Sequence, residues 1–124
     1  METGKFNAFF NAYITAALWS SVDDNGDPLD ANYTAESIAP VTLEKMKADC
    51  EKFCENNLIV LTVLDDKGLH SFELSGHDFW LTRSGHGAGF WDRGLGAVGE
   101  VLTVAAGLFG DSPLYVGDDN LIYQ

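Results

Sequence analysis

A chain of 124 residues with 46% hydrophobic and 12% aromatic content can bury a real core in one domain, residues 1–124, which excludes a disordered tail. The formal net charge of −12, from 19 acidic against 7 basic residues, excludes a surface made to grip naked nucleic acid or anionic lipid. No apolar run approaches the ~20 residues that span a bilayer, and the first residues lack a basic segment leading into an apolar one, so neither a membrane span nor a secretory leader is expected.

Taken in order, residues 7–19 read as a helix, with Phe6, Phe9, Phe10, Tyr13, Ile14, Ala17 and Leu18 recurring at helical spacing. That stripe is a core face first and a partner groove second. Residues 22–32 form a polar loop bearing Asp23, Asp24, Asp27 and Asp30. Asp23-x-Asn25-x-Asp27 has the opening ligand spacing of a calcium loop, but Pro28 stands where glycine is needed and Thr34 where the bidentate glutamate is needed. A solvated acidic loop is the simpler reading, and its aspartates are natural stand-ins for phosphates.

Thr34 caps a short turn through Ile38, and Pro40 opens a second helix running to about Asn56. Its apolar face is Leu43, Met46, Cys50, Phe53 and Cys54. Cys50 and Cys54 share that face four residues apart, which suits reduced core thiols rather than a disulfide or half a metal site. Residues 58–64, a β-branched apolar run, predict a strand covered on both faces. Residues 65–68 predict a turn, and residues 69–74 a returning strand in which His70 is a packed or exposed strand residue. Residues 95–109 predict a third helix ended by Gly110, and residues 114–116 and 121–123 a closing strand pair about a turn at 117–120.

The densest chemistry lies at Gly76-His-Asp-Phe-Trp-Leu-Thr-Arg-Ser-Gly-His-Gly-Ala-Gly-Phe-Trp-Asp-Arg-Gly94, which holds both arginines, two of the three tryptophans and two of the three histidines. Aromatic and branched residues on either side of Gly85, Gly87 and Gly89 predict a hairpin with His86 at its tip. His77 and Asp78 then sit at one mouth, Asp92 and Arg93 at the other. The plain reading is structural, with Arg–carboxylate pairs fixing the turn and the tryptophans filling the core. The sharper reading is a recognition or catalytic surface. His77, His86 and Asp92 have ligand chemistry, but their spacing fits no zinc pattern. The glycines form neither a dinucleotide fingerprint nor a phosphate loop. No metal and no cofactor are expected.

This stretch resembles a family of small acidic proteins encoded by bacteriophages and other mobile elements. The likeness extends to Ala17-Leu18-Trp19-Ser20-Ser21, Pro28-Leu29-Asp30, Ile38-Ala39-Pro40 and Tyr115-Val116-Gly117-Asp118-Asp119, and so covers nearly the whole chain. Residues 58–74 depart from it in being unusually apolar. What the resemblance implies is context, a phage accessory product made in the host bacterial cytoplasm.

The expected fold is α+β, an antiparallel sheet with about three helices packed on one face. The first functional expectation joins the resemblance to the charge. It is a non-enzymatic protein that binds and inhibits a host protein with a basic surface, of the nucleic-acid-handling defence type (restriction or CRISPR), by acidic mimicry of nucleic acid. Neither direct nucleic-acid binding nor a membrane is involved. Contact would fall to Asp23, Asp24, Asp27, Asp30, Trp80, Arg83, His86, Trp91 and Arg93. The first alternative is a small enzyme, with His77 or His86 as general base, Asp78 or Asp92 orienting it, and Arg83 or Arg93 holding an anion. The second is a structural or assembly protein of the phage particle.

Overall fold

The computed structural model describes residues 1–124. Five α-helices carry the fold: α1 (Thr3–Ser20), α2 (Pro40–Asn56), α3 (Leu58–Asp66), α4 (Phe72–Arg83) and α5 (Ala97–Gly107). Short 3-10 turns lie at Leu29–Ala31, Ala35–Ser37 and Phe90–Asp92. The only sheet is one antiparallel pair, β1 (Tyr115–Val116) with β2 (Ile122–Tyr123), in the register Tyr115↔Tyr123 and Val116↔Ile122. No helix is long and apolar enough to cross a membrane.

The α+β expectation is therefore overturned: helices pack on helices, and the strands expected at 58–64, 69–74 and 78–83 do not exist. The first continues helically as α3. A short apolar run has no period to separate strand from buried helix, and here tertiary packing overrides β-branched preference. The second is divided, because Ser71 accepts a hydrogen bond from the Leu74 amide (3.1 Å) and so caps the start of α4. The third lies wholly inside α4, and residues 90–92 form a 3-10 turn instead of a second hairpin arm. The helices expected around 7–19, 40–56 and 95–109 and the closing strand pair are present, with α1 one turn longer at its start.

The central seam is α1 against α4. It closes on Gly76, where a Cβ would stand 1.9 Å from the Phe9 carbonyl oxygen, so only glycine lets the two backbones meet. Around the seam, Phe9, Phe53, Phe79 and Phe90 are fully buried, with Phe53 and Phe79 stacked at 4.2 Å. Cys50 and Cys54 are free thiols in this core. Burial pushes the Cys54 thiol up to about 12 and Cys50 well above the ordinary thiol range. At the far end, the Ala39 amide donates to the Ile122 carbonyl (2.9 Å), which joins the β1–β2 pair to the start of α2.

Candidate functional site

Two features compete for the name of site. The first is built on α4. Asp78 lies in the middle of that helix with its side chain 0% exposed. Arg93, just past the 3-10 turn, reaches back with Nε at 3.0 Å from Oδ2 and Nη2 at 2.8 Å from Oδ1. This two-pronged pairing matches the fork of the guanidinium to the carboxylate. His70 Nε2 stands 2.9 Å from Oδ2. His77 Nδ1 is 3.5 Å from Oδ1, buried and without a hydrogen-bond partner. Burial alone would raise the Asp78 pKa. His70 and Arg93 outweigh it and hold the carboxyl at about 2, so it is a fixed anion and not a base.

Above this cluster a cleft of about 590 Å³ opens between α1 and α4. Its walls include His70, His77, Glu73, Arg93, Asn11 and Thr15. Trp19 stacks on His77 (5.8 Å between rings) and meets His86 edge-on (5.5 Å).

The hairpin reading placed His77 and Asp78 beside Asp92 and Arg93. The structure brings Asp78 and Arg93 together by another route, a helix and a 3-10 turn, and adds His70, which the strand reading had set aside. No spacing in the sequence marks it, because His70 lies in the bend before α4 and not on the helix. His86 and Trp91 are exposed, and so is Asp92, which makes no ion pair. Trp80 and Arg83 lie in the core and present no contact surface. Trp80 is 2% exposed and donates through Nε1 to Ser20 Oγ (2.8 Å). Arg83 donates to Tyr13 Oη, Asp49 Oδ2 and the carbonyls of Phe109 and Gly110 at 2.8–3.2 Å. It stays charged because Tyr13 and Asp49 outweigh the cost of its burial. No three His, Cys, Asp or Glu side chains are grouped to hold a metal ion.

The second feature is the acidic end. Residues 6–44 and 94–124 together carry ten of the nineteen acidic residues and none of the seven basic ones. These two segments meet at the start of α2, where Ile38 bridges to Ile122. Asp23, Asp24 and Asp118 line one shallow depression there with Tyr33 and Asn120. Asp23 Oδ1 accepts from the amides of Asn25 and Asp27 (2.9 and 3.0 Å), so it shapes a turn. Asp24, Asp27, Asp30 and Asp118 point to solvent and pair with no basic group. Asp119 is tied to Tyr123 Oη (2.6 Å), which with the Leu121 amide lowers its pKa. Compared with protein-family models, curated proteins and solved structures, the chain matches none of them.

Proposed function

We propose that this protein is a non-enzymatic accessory protein of bacteriophage type. In the host bacterial cytoplasm it binds, and so inhibits, a nucleic-acid-handling host protein of the defence type. The acidic end is the contact surface, and its carboxylates take the place of phosphates in a basic groove. One observation carries the reading. The negative charge is segregated along the chain: two segments that meet at the start of α2 hold ten acidic and no basic residues, and Asp23, Asp24 and Asp118 of the two share one depression. Charge serving only solubility would be interspersed with lysines, as it is on α2, where Lys45 pairs with Asp49. Unpaired surface carboxylates cost little to bring to a cationic partner and speed the encounter. The resemblance to phage-encoded proteins supplies the setting.

The test is a pull-down from nuclease-treated bacterial lysate, followed by competition. The expected result is one stoichiometric host protein that duplex DNA displaces. Its affinity should fall steeply between about 50 and about 500 mM salt. A partner that DNA does not displace and salt does not release would overturn the mimicry.

A small enzyme is the second reading, favoured by the fixed Asp78 carboxylate set beneath His70 in the wall of the cleft. If it holds, His70→Gln abolishes biological activity while the fold and the acidic-end contacts persist. Full activity of that variant would end it.

A further inference from the structure

We infer that Asn25 is a site of spontaneous covalent modification, in which attack by the Gly26 backbone nitrogen expels the side-chain amide and the acidic end gains one carboxylate. Asn25 alone among the asparagines precedes a glycine. Glycine matters twice: it has no side chain to crowd the attacking nitrogen, and it moves freely between backbone conformations. Gly26 holds φ +83°, and a Cβ placed on it would meet nothing within 4 Å. Asn25 is exposed at the tip of a loop whose base is fixed. Val22 bridges to Pro28, the Leu29 amide donates to the Ser21 carbonyl (2.9 Å), and Leu29 is buried. The tip can therefore open without disturbing the core. The other asparagines are all followed by residues with side chains. Asn7, Asn11 and Asn56 lie in α1 and α2, where ring closure would break the helix, and the Asn57 carboxamide is tied to the Phe53 carbonyl (2.9 Å).

The reaction consumes water, releases ammonia and needs no other reactant. The Gly26 nitrogen loses its proton to solvent base and bonds to Asn25 Cγ. The side-chain nitrogen leaves as ammonia, and a five-membered imide ring closes. Water then opens the ring at either carbonyl. One opening gives aspartate in an unchanged main chain. The other gives isoaspartate, in which the main chain runs through the former side-chain carbon. In the folded turn the Gly26 amide donates to the Asp23 carbonyl (3.0 Å), while Asp23 Oδ1 accepts from the Asn25 and Asp27 amides. The attack therefore passes through an opened turn. Both products place a carboxylate where Asn25 now lines the depression with Asp23, Asp24 and Asp118, and both add one negative charge to the formal −12. The isoaspartate also lengthens the main chain by one atom inside the turn that Asp23 brackets. The inference does not depend on what the acidic end binds.

The experiment is ageing of the full chain in neutral and in mildly alkaline buffer, read by intact mass, anion-exchange elution and peptide mapping. A free peptide of residues 22–28 serves as the clock. A gain of one dalton, with later elution, should accumulate at Asn25 and be faster in the alkaline buffer. Its rate should lie within about tenfold of the peptide's, because an exposed turn opens at small cost. Isoaspartyl methyltransferase should label the aged chain and not the fresh one. Asn25→Gln, whose ring would be six-membered and closes far more slowly, should keep its mass and elution over the same period. Three results would overturn the inference: conversion of another asparagine ahead of Asn25, a rate at Asn25 more than about tenfold below that of the peptide, or the same gain of one dalton in Asn25→Gln.

Discussion

The seam between α1 and α4 and the acidic end use charge in opposite ways. In the seam, Asp78 and Arg83 are buried, and each is matched: Asp78 by Arg93 and His70, Arg83 by Asp49, Tyr13 and two carbonyls. At the acidic end, Asp24, Asp27, Asp30 and Asp118 are exposed and unmatched. A buried charge without its partners costs several kcal/mol, so such groups hold a structure to one arrangement. An exposed charge costs almost nothing in the free protein and leaves its interaction to be made with something else. Arg83 and Trp80 therefore build the domain, and the aspartates are left to meet a partner.

The largest effect is expected where the seam is tightest. Gly76→Ala drives a methyl group into the Phe9 carbonyl, and neither backbone can yield without separating the helices. A loss of at least about 3 kcal/mol in urea denaturation is expected, enough to unfold a marginal domain. Next comes Arg83→Met, which keeps the bulk but leaves Tyr13 and two carbonyls without their donor and Asp49 with Lys45 alone. A loss of about 3 kcal/mol is expected, with Arg83→Lys a poor rescue because one ammonium cannot reach all four acceptors. Asp78→Asn should cost about 2 kcal/mol at neutral pH. The folded pKa of about 2 lies below the ~3.9 of an unfolded aspartate. The contribution of Asp78 is thus complete above about pH 4 and lost as the pH falls toward 2. Denaturation midpoints measured from pH 6 to pH 2 should fall less steeply in the variant over that window. The smallest effect on stability is expected from Asp23, Asp24, Asp27 and Asp30 all changed to Asn. The three fully exposed sites should leave the melt within about 0.5 kcal/mol of the original, with Asp23 able to keep its turn through the Asn oxygen.

The sequence was legible where apolar residues alone mark a helical face. The stripe of Phe9, Tyr13 and Leu18 reads directly as α1, and Met46, Cys50 and Phe53 read as α2. It was not legible in α4. Phe72, Ser75, Gly76, Phe79 and Arg83 are buried at helical spacing in that helix, but Asp78, Trp80 and Leu81 are buried as well. Four of these eight are small or charged, so hydrophobicity carries no period there, while the Phe-Trp-Leu-Thr run suggests a strand. Gly76 is informative only beside Phe9, and Phe9 is remote in sequence. In α3 the signal failed differently, since an apolar run without polar positions has no period at all. For the site, the meeting of Asp78 with Arg93 was foreseen on a wrong scaffold, and His70 was missed because its role depends on α4 being helical. The acidic loop was visible from composition. Its union with the acidic residues of the C-terminal segment required the fold.

The most direct test of the account is a binding measurement with the host protein captured by the original chain, comparing that chain with the four-fold Asp23, Asp24, Asp27 and Asp30→Asn variant. Binding should weaken by at least about 100-fold in the variant, near 3 kcal/mol, with its circular dichroism spectrum and melt retained. Equal affinity in a variant that remains folded would contradict the account and move the contact surface away from the acidic end.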